Sequence, residues 1–305
     1  MARAMQKDVL IELLSGLRAT AALRTAPDAL DGNPVLKTAA ALTRTVYTTD
    51  AFELDFEDTV RMIRFLSARA REMPVNEAMR GKLAADPLSV LWPLTLACTA
   101  GLHAEDVPVV ILTGGLPGSG KAGLITEYLE RLGGNLLIIN GDEYRHFHPD
   151  YEEIVARYGE ESPKYTADFA ARAIGLMRDA AAAAGFNILI EGTFRTAEVP
   201  LAELRRFRTL GYRTEVALLA VDQEKAWAST RERADLMAAC GSAPRAVARE
   251  HFLQVVRQFP ESAARVLADP ALGSARIFGA SGLLYDTAAM PETDVAALIR
   301  EAIGA

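Results

Sequence analysis

Two hydrophobic periodicities divide the chain. Up to about residue 105, apolar positions recur at the spacing of helical turns. Val9, Leu10, Leu13, Leu14 and Leu17 form one stripe, residues 35–46 a second helical stretch, and Val60, Ile63, Phe65 and Leu66 the apolar side of a third over 56–73. A short helix over 76–84 and an apolar segment over 88–102 complete a region with almost no strand signal. From residue 107 the pattern alternates. Runs at 109–112 (VVIL), 135–140 (NLLIIN), 187–190 (NILI) and 214–221 (TEVALLAV) predict strands, and helical patterns follow at 124–132, 167–184, 202–210 and 224–239. Another helix is expected over 246–258, short terminal strands at 275–278 and 283–285, and a closing helix over 295–303. The alternation predicts an α/β fold, a mostly parallel sheet flanked by helices. An all-α domain at 1–105 precedes it, residues 103–106 read as a short linker, and the α/β domain occupies 106–305.

Composition narrows the function classes. The chain has 305 residues, half of them hydrophobic, enough for one large and one smaller domain. A net charge of −7 without a long basic block argues against nucleic acid as a partner. The 88–102 segment holds Pro93 and is too short to span a bilayer, and the start, MARAMQKD, lacks the apolar run of a signal peptide. A cytoplasmic protein with no membrane partner is the expectation. Cys98 and Cys240 stand far apart in apolar or small-residue settings, which predicts inert thiols rather than a disulfide or a metal cluster.

The chemistry gathers after the first predicted strand. Residues 109–124 read VVILTGGLPGSGKAGL: a strand, the loop Gly115, Leu116, Pro117, Gly118, Ser119, Gly120, Lys121, then a helix. This is the G-x-x-x-x-G-K core of a phosphate-binding loop. Glycines let backbone N–H groups turn toward phosphate oxygens, the helix start adds partial positive charge, and Lys121 adds a full one. The plain alternative is a glycine-rich turn with no ligand. The position after the lysine, where a Ser or Thr hydroxyl would bind magnesium, is Ala122.

In open α/β sheets ligands bind beyond the C-terminal ends of the strands. Asp142 follows the second strand, where a carboxylate can accept a proton from an attacking hydroxyl and help hold Mg²⁺; otherwise it is a solvated turn residue. Glu191, Thr193 and Arg195 follow the third strand and suit a ligand rich in hydroxyls or phosphates; a capping and turn cluster is the alternative. Arg231, Arg233 and Arg245 are candidates to neutralise phosphate charge, although surface arginines are common. Tyr158 could stack on a base or sugar or simply pack. His148, beside Pro149, reads as structural.

Taken together, GGLPGSGK, NGDEYRHFHPDY, ILIEGTFRTAEVP, LLAV before the Arg233 helix, and PRAVAREHF resemble the zeta toxin family of bacterial toxin–antitoxin systems, over residues 109–285. That resemblance implies a P-loop kinase fold that uses ATP and Mg²⁺ to phosphorylate UDP-N-acetylglucosamine at a sugar hydroxyl. By motif, Lys121 matches the loop lysine and Asp142 the general base. Tyr158 matches a tyrosine near the sugar, and Glu191, Thr193 and Arg195 the E-G-T-x-R substrate loop. Arg233 matches an arginine facing the triphosphate, and Arg245 a second one once a one-residue gap is admitted. Three positions depart from the pattern: Ala122, Asn140 in place of the first carboxylate of an Asp-x-Asp pair, and Gly175 in place of a helix glutamate.

The same residues leave two other functions open: a kinase of another small hydroxylated compound, such as an antibiotic, and a nucleotide-binding regulator whose kinase activity has decayed through Ala122. Since antitoxins of this family are helical and block the ATP site, the helical 1–105 region is expected to act either as an antitoxin in cis or as a docking domain that buries a sheet edge.

Overall fold

The computed structural model describes residues 75, 77–98, 102–239 and 247–305. The three helices read within 1–74 lie outside the described residues, as does Arg245. The chain divides into two compact units, one of Met1–Leu102, Gly141–Ile154 and Tyr165–Ala180, the other of His103–Asn140, Val155–Lys164 and Ala181–Ala305.

The described helices of the first stretch are α1 (Glu77–Ala85) and α2 (Leu88–Cys98). Then come β1 (Val109–Gly115), α3 (Ala122–Arg131), β2 (Leu137–Ile139), α4 (Gly141–Tyr144), α5 (Tyr151–Tyr158), α6 (Ser162–Tyr165) and α7 (Ala167–Ala183). The rest of the chain forms β3 (Ile188–Glu191), α8 (Glu198–Thr209), β4 (Arg213–Leu219), α9 (Gln223–Ala239), α10 (Arg249–Leu267), β5 (Ser274–Gly279), β6 (Gly282–Asp286) and α11 (Val295–Ile303).

In the smaller unit, Arg172 of α7 donates to the carbonyls of Ala84 and Ala85, closing the C-terminal end of α1. Those last carbonyls have no partner inside the helix, so a cationic donor there serves both hydrogen bonding and the helix dipole. Arg80 of α1 also meets Glu153 at 3.4 Å.

The larger unit is built on a six-stranded sheet in the order β2-β3-β1-β4-β5-β6. All pairings are parallel except β5 with β6. All seven residues of β1 are buried, as expected of a central parallel strand covered on both faces. Val109, Ile111, Leu189 and Ala217 of the sheet pack with Leu124 and Tyr128 of α3. Consecutive β-strands fall on opposite sides of β1, since β2 and β3 lie to one side and β4 to the other. The loop after β1 therefore opens at the switch point of the sheet, where a ligand crevice forms.

The alternating pattern locates every strand but misplaces some ends. β1 runs on to Gly115, because Gly114 and Gly115 still pair with Leu218 and Leu219. β2 is shorter than 135–140 because the Asn135 and Leu136 N–H groups bond back to Leu132 and Gly134 in the turn after α3, and Asn140 sends its side chain to Glu191. Asn135 accepts the His103 N–H at 3.0 Å and donates to Glu105 at 2.8 Å, while Asn187 accepts the Val109 N–H and donates to the Asn135 carbonyl. Both asparagines are nearly fully buried, and their bonds tie the starts of β1, β2 and β3 together. α10 continues past 258 through Pro260, since its apolar face, with Val255, Val256, Phe259, Ala263 and Val266, stays buried beyond that point. Of the short helices between residues 141 and 165, α4 and α6 have only four residues, too few for a repeat, while α5 carries a stripe of Tyr151, Ile154, Val155 and Tyr158 over eight.

Candidate functional site

The loop from Gly115 to Lys121 needs its glycines for three different reasons. Gly115, Gly118 and Gly120 all have positive φ, at 148°, 78° and 90°. A Cβ on Gly118 would stand 2.1 Å from the Ala226 carbonyl oxygen and 2.7 Å from Thr230 Cγ2, so α9 packs directly on the loop. A Cβ on Gly115 would meet the Leu219 carbonyl oxygen at 2.5 Å, where β1 still pairs with β4. At Gly120 a Cβ would meet nothing within 4 Å, so conformation alone selects glycine there.

Lys121 is 8% exposed, and its Nζ donates to the carbonyls of Gly115 (3.2 Å) and Leu116 (3.1 Å). Carbonyl acceptors satisfy an ammonium's hydrogen bonds without cancelling its charge. Lys121 also opens α3, whose first turn carries no acidic residue to offset the helix dipole. Ser119 Oγ is buried and has no hydrogen-bond partner. Buried ammonium, turned glycines and an uncompensated helix start are the chemistry a nucleotide phosphate requires, and the residues present fit one. Magnesium fits less well: Ala122 offers no side-chain oxygen, and the Thr126 hydroxyl one turn on donates back to the Ala122 carbonyl.

At the end of β3 the loop Glu191–Gly192–Thr193–Phe194–Arg195 is fixed from several sides. Phe194 has φ 53° and is buried. Its ring occupies the space a side chain on Gly114 would fill, since a Cβ there would lie 2.4 Å from Phe194 Cδ2. A bulky residue in left-handed backbone is uncommon, and such strain persists only where the surroundings enforce it. Arg195 donates to Gln254 of α10 at 3.1 Å, and its carbonyl accepts from Ser262. Glu191 accepts from Asn140 Nδ2 at 2.7 Å. Nothing in the sequence pattern singled out Gln254 or Ser262; only the packing of α10 brings them to this loop.

The remaining candidates fall as follows. Asp142 sits in the first turn of α4, in the smaller unit, where Arg145 Nε donates to its Oδ1 at 3.0 Å. Arg145 also reaches the buried Thr166 hydroxyl at 3.0 Å, so the carboxylate is oriented by a tethered cation. Tyr158 ends α5 with the Arg157 guanidinium 5.3 Å from its ring centre. Arg233 is exposed on α9, on the same helical face as Ala226 and Thr230, which touch the loop. Arg231 is likewise exposed. His148 accepts the Asp150 N–H and packs its ring edge-on to Phe169, a structural setting in which burial pushes its pKa down. Gly175 lies in α7 with room for a side chain. No group of three or more metal-ligating side chains occurs among the described residues, and none of the described helices is long and apolar enough to cross a membrane.

A parallel sheet with a glycine–lysine loop at its switch point defines a P-loop kinase-like fold. The sequence model of the Zeta toxin family matches residues 95–289, and the chain belongs to that family. Its relatives include Toxin PezT of Streptococcus pneumoniae, 33% identical over 54% of this chain and 65% of that protein. Toxin zeta of Enterococcus hirae is 31% identical over 45% of this chain and 48% of that protein, so the chain spans about half to two thirds of these relatives. The solved structure of the PezAT chromosomal toxin–antitoxin system of Streptococcus pneumoniae superposes with a TM-score of 0.60 at 27% identity, over 76% of this chain and 89% of that one.

Proposed function

We propose that the chain is a toxin with kinase activity that transfers the γ-phosphoryl group of ATP to a hydroxyl of a sugar nucleotide, with UDP-N-acetylglucosamine as the acceptor. The observation that carries this reading is the buried Lys121 in a loop of three positive-φ glycines, one strand away from the fixed Glu191–Arg195 loop. Bound ATP with Mg²⁺ supplies the phosphoryl group and part of the charge neutralisation. Lys121 and the loop N–H groups hold the phosphates, and Arg233 and Arg245 offset the charge that develops during transfer. Asp142, oriented by Arg145, takes the proton of the acceptor hydroxyl. Glu191, Thr193, Arg195 and Tyr158 hold the acceptor, Arg195 being set in place by Gln254.

Incubation of the purified chain with ATP, Mg²⁺ and UDP-N-acetylglucosamine is expected to give a monophosphorylated sugar nucleotide by mass spectrometry. Transfer to a different hydroxylated compound, with none to this one, would redirect the acceptor assignment. ATP binding without transfer to any acceptor would leave a nucleotide-binding regulator.

A second part of the proposal concerns residues 1–105, which we assign as an antitoxin-like segment acting in cis. A segment joined to the kinase by a few residues has an effective concentration of about millimolar, so even a weak contact holds. A chain starting at His103, which keeps that residue's bond to Asn135, is expected to bind ATP more tightly and to arrest bacterial growth more strongly than the full chain. A folded, shortened chain no more toxic than the full one would rule out inhibition in cis.

A further inference from the structure

Gln223, Ala226, Thr230 and Arg233 recur at three- and four-residue spacing and share one face of α9. The middle pair meets the phosphate loop. The Ala226 carbonyl oxygen and Thr230 Cγ2 stand 2.1 Å and 2.7 Å from where a Cβ on Gly118 would lie. The first residue of the stripe reaches a different helix: Gln223 Nε2 donates to the Gly304 carbonyl at 2.6 Å, at the end of α11. Gly304 has φ 69°, and a Cβ on it would stand 3.3 Å from Asp222 Oδ2. Asp222 in turn accepts the Lys225 N–H at 3.0 Å and so caps the start of α9. α11 is a firm anchor, since Ile299 and Ile303 are fully buried and Arg300 pairs with Glu261 of α10 at 2.5 Å.

We infer that Gln223 is a positioning residue for the nucleotide: it ties α9 to α11 and so fixes the helix against which the phosphate loop takes its shape. The inference rests on the ATP reading above and adds to it the residue that holds the wall behind the loop. Gly118 has φ 78° and touches α9 too closely to carry a side chain, so a shifted α9 deforms the loop. The same shift moves Arg233, one turn beyond Thr230 on that face. The residue type at 223 fits this role. In the first turn of a helix the dipole favours a carboxylate, and Glu224 already supplies one. An ionised glutamate at 223 could only accept, and it would face the Gly304 carbonyl with the Asp222 carboxylate beside it. The amide donates.

The test is the ATP affinity of the full chain by calorimetry, read beside the thermal midpoint of the nucleotide-free protein. Gln223→Met keeps the length of the side chain and loses the donor. Without the tie, α9 populates shifted settings, and affinity falls by the fraction of chains whose loop keeps its shape. The expected loss is about 2–10-fold, the population that one intramolecular hydrogen bond can hold. Gln223→Glu is expected to lose at least as much. Gly304→Ala strains the same turn and presses on Asp222, so its loss and that of Gln223→Met are expected to combine to less than their sum. A Gln223→Met chain with wild-type ATP affinity overturns the inference, and a lowered midpoint alongside it makes the bond structural only. A loss confined to Gln223→Glu also overturns it, because charge near the phosphates then explains the effect. Losses that simply add overturn it as well. A wild-type chain that binds no ATP defeats the nucleotide reading itself, and this inference with it.

Discussion

Asp142→Asn is expected to lower turnover by about two to four orders of magnitude, the contribution of a positioned acid or base, with ATP affinity close to wild type. Asparagine has nearly the same shape, and its carbonyl oxygen can still accept from Arg145 Nε, so the turn around α4 keeps its main tie. What the substitution removes is the ability to take a proton. Comparison of kcat, KM for ATP and the thermal midpoint separates these effects. Wild-type turnover in this variant would remove Asp142 from the chemistry, and a large fall in the midpoint would make its role structural.

Lys121→Met is expected to lower turnover by about 10²–10³-fold, the usual cost of losing one preorganised electrostatic stabiliser, and to weaken ATP binding as well. Methionine fills a similar volume in a slot where the lysine is only 8% exposed, but leaves the Gly115 and Leu116 carbonyls without the Nζ donor. Lys121→Arg is expected not to restore activity. A planar guanidinium on a stiffer fork does not reproduce a compact ammonium in a buried loop. Binding and single-turnover measurements on both variants check this, and wild-type turnover in Lys121→Met would show that the loop does not carry the phosphoryl chemistry.

The architecture was legible because each buried parallel strand is a short apolar run and each amphipathic helix repeats its stripe. The five parallel strands announced themselves in this way, and the antiparallel β6 as a short apolar run at 283–285. Their ends did not, because Asn135 and Asn187 adjoin apolar runs and act there as side-chain staples, which no hydropathy pattern records. The phosphate loop was legible because glycine and lysine spacing encodes backbone turns directly. Arg145, Gln254 and Ser262 were not, since their significance comes from contacts across 21 to 67 residues of sequence that no local pattern records. Asn140 was legible only as a departure. Its bond to Glu191 gives that departure a physical meaning.

The missing side chain at Gly114 sets a rule for anyone redesigning this molecule. The Phe194 ring rests in the space that an alanine at 114 would claim, and Phe194 is the left-handed pivot between Thr193 and Arg195. Strand β1 and the loop after β3 are therefore coupled by a single methyl group's volume. Position 114 therefore acts on that loop at a distance: enlarging it while trimming 194 is expected to re-aim the backbone from Thr193 to Arg195, the segment proposed above to hold the acceptor.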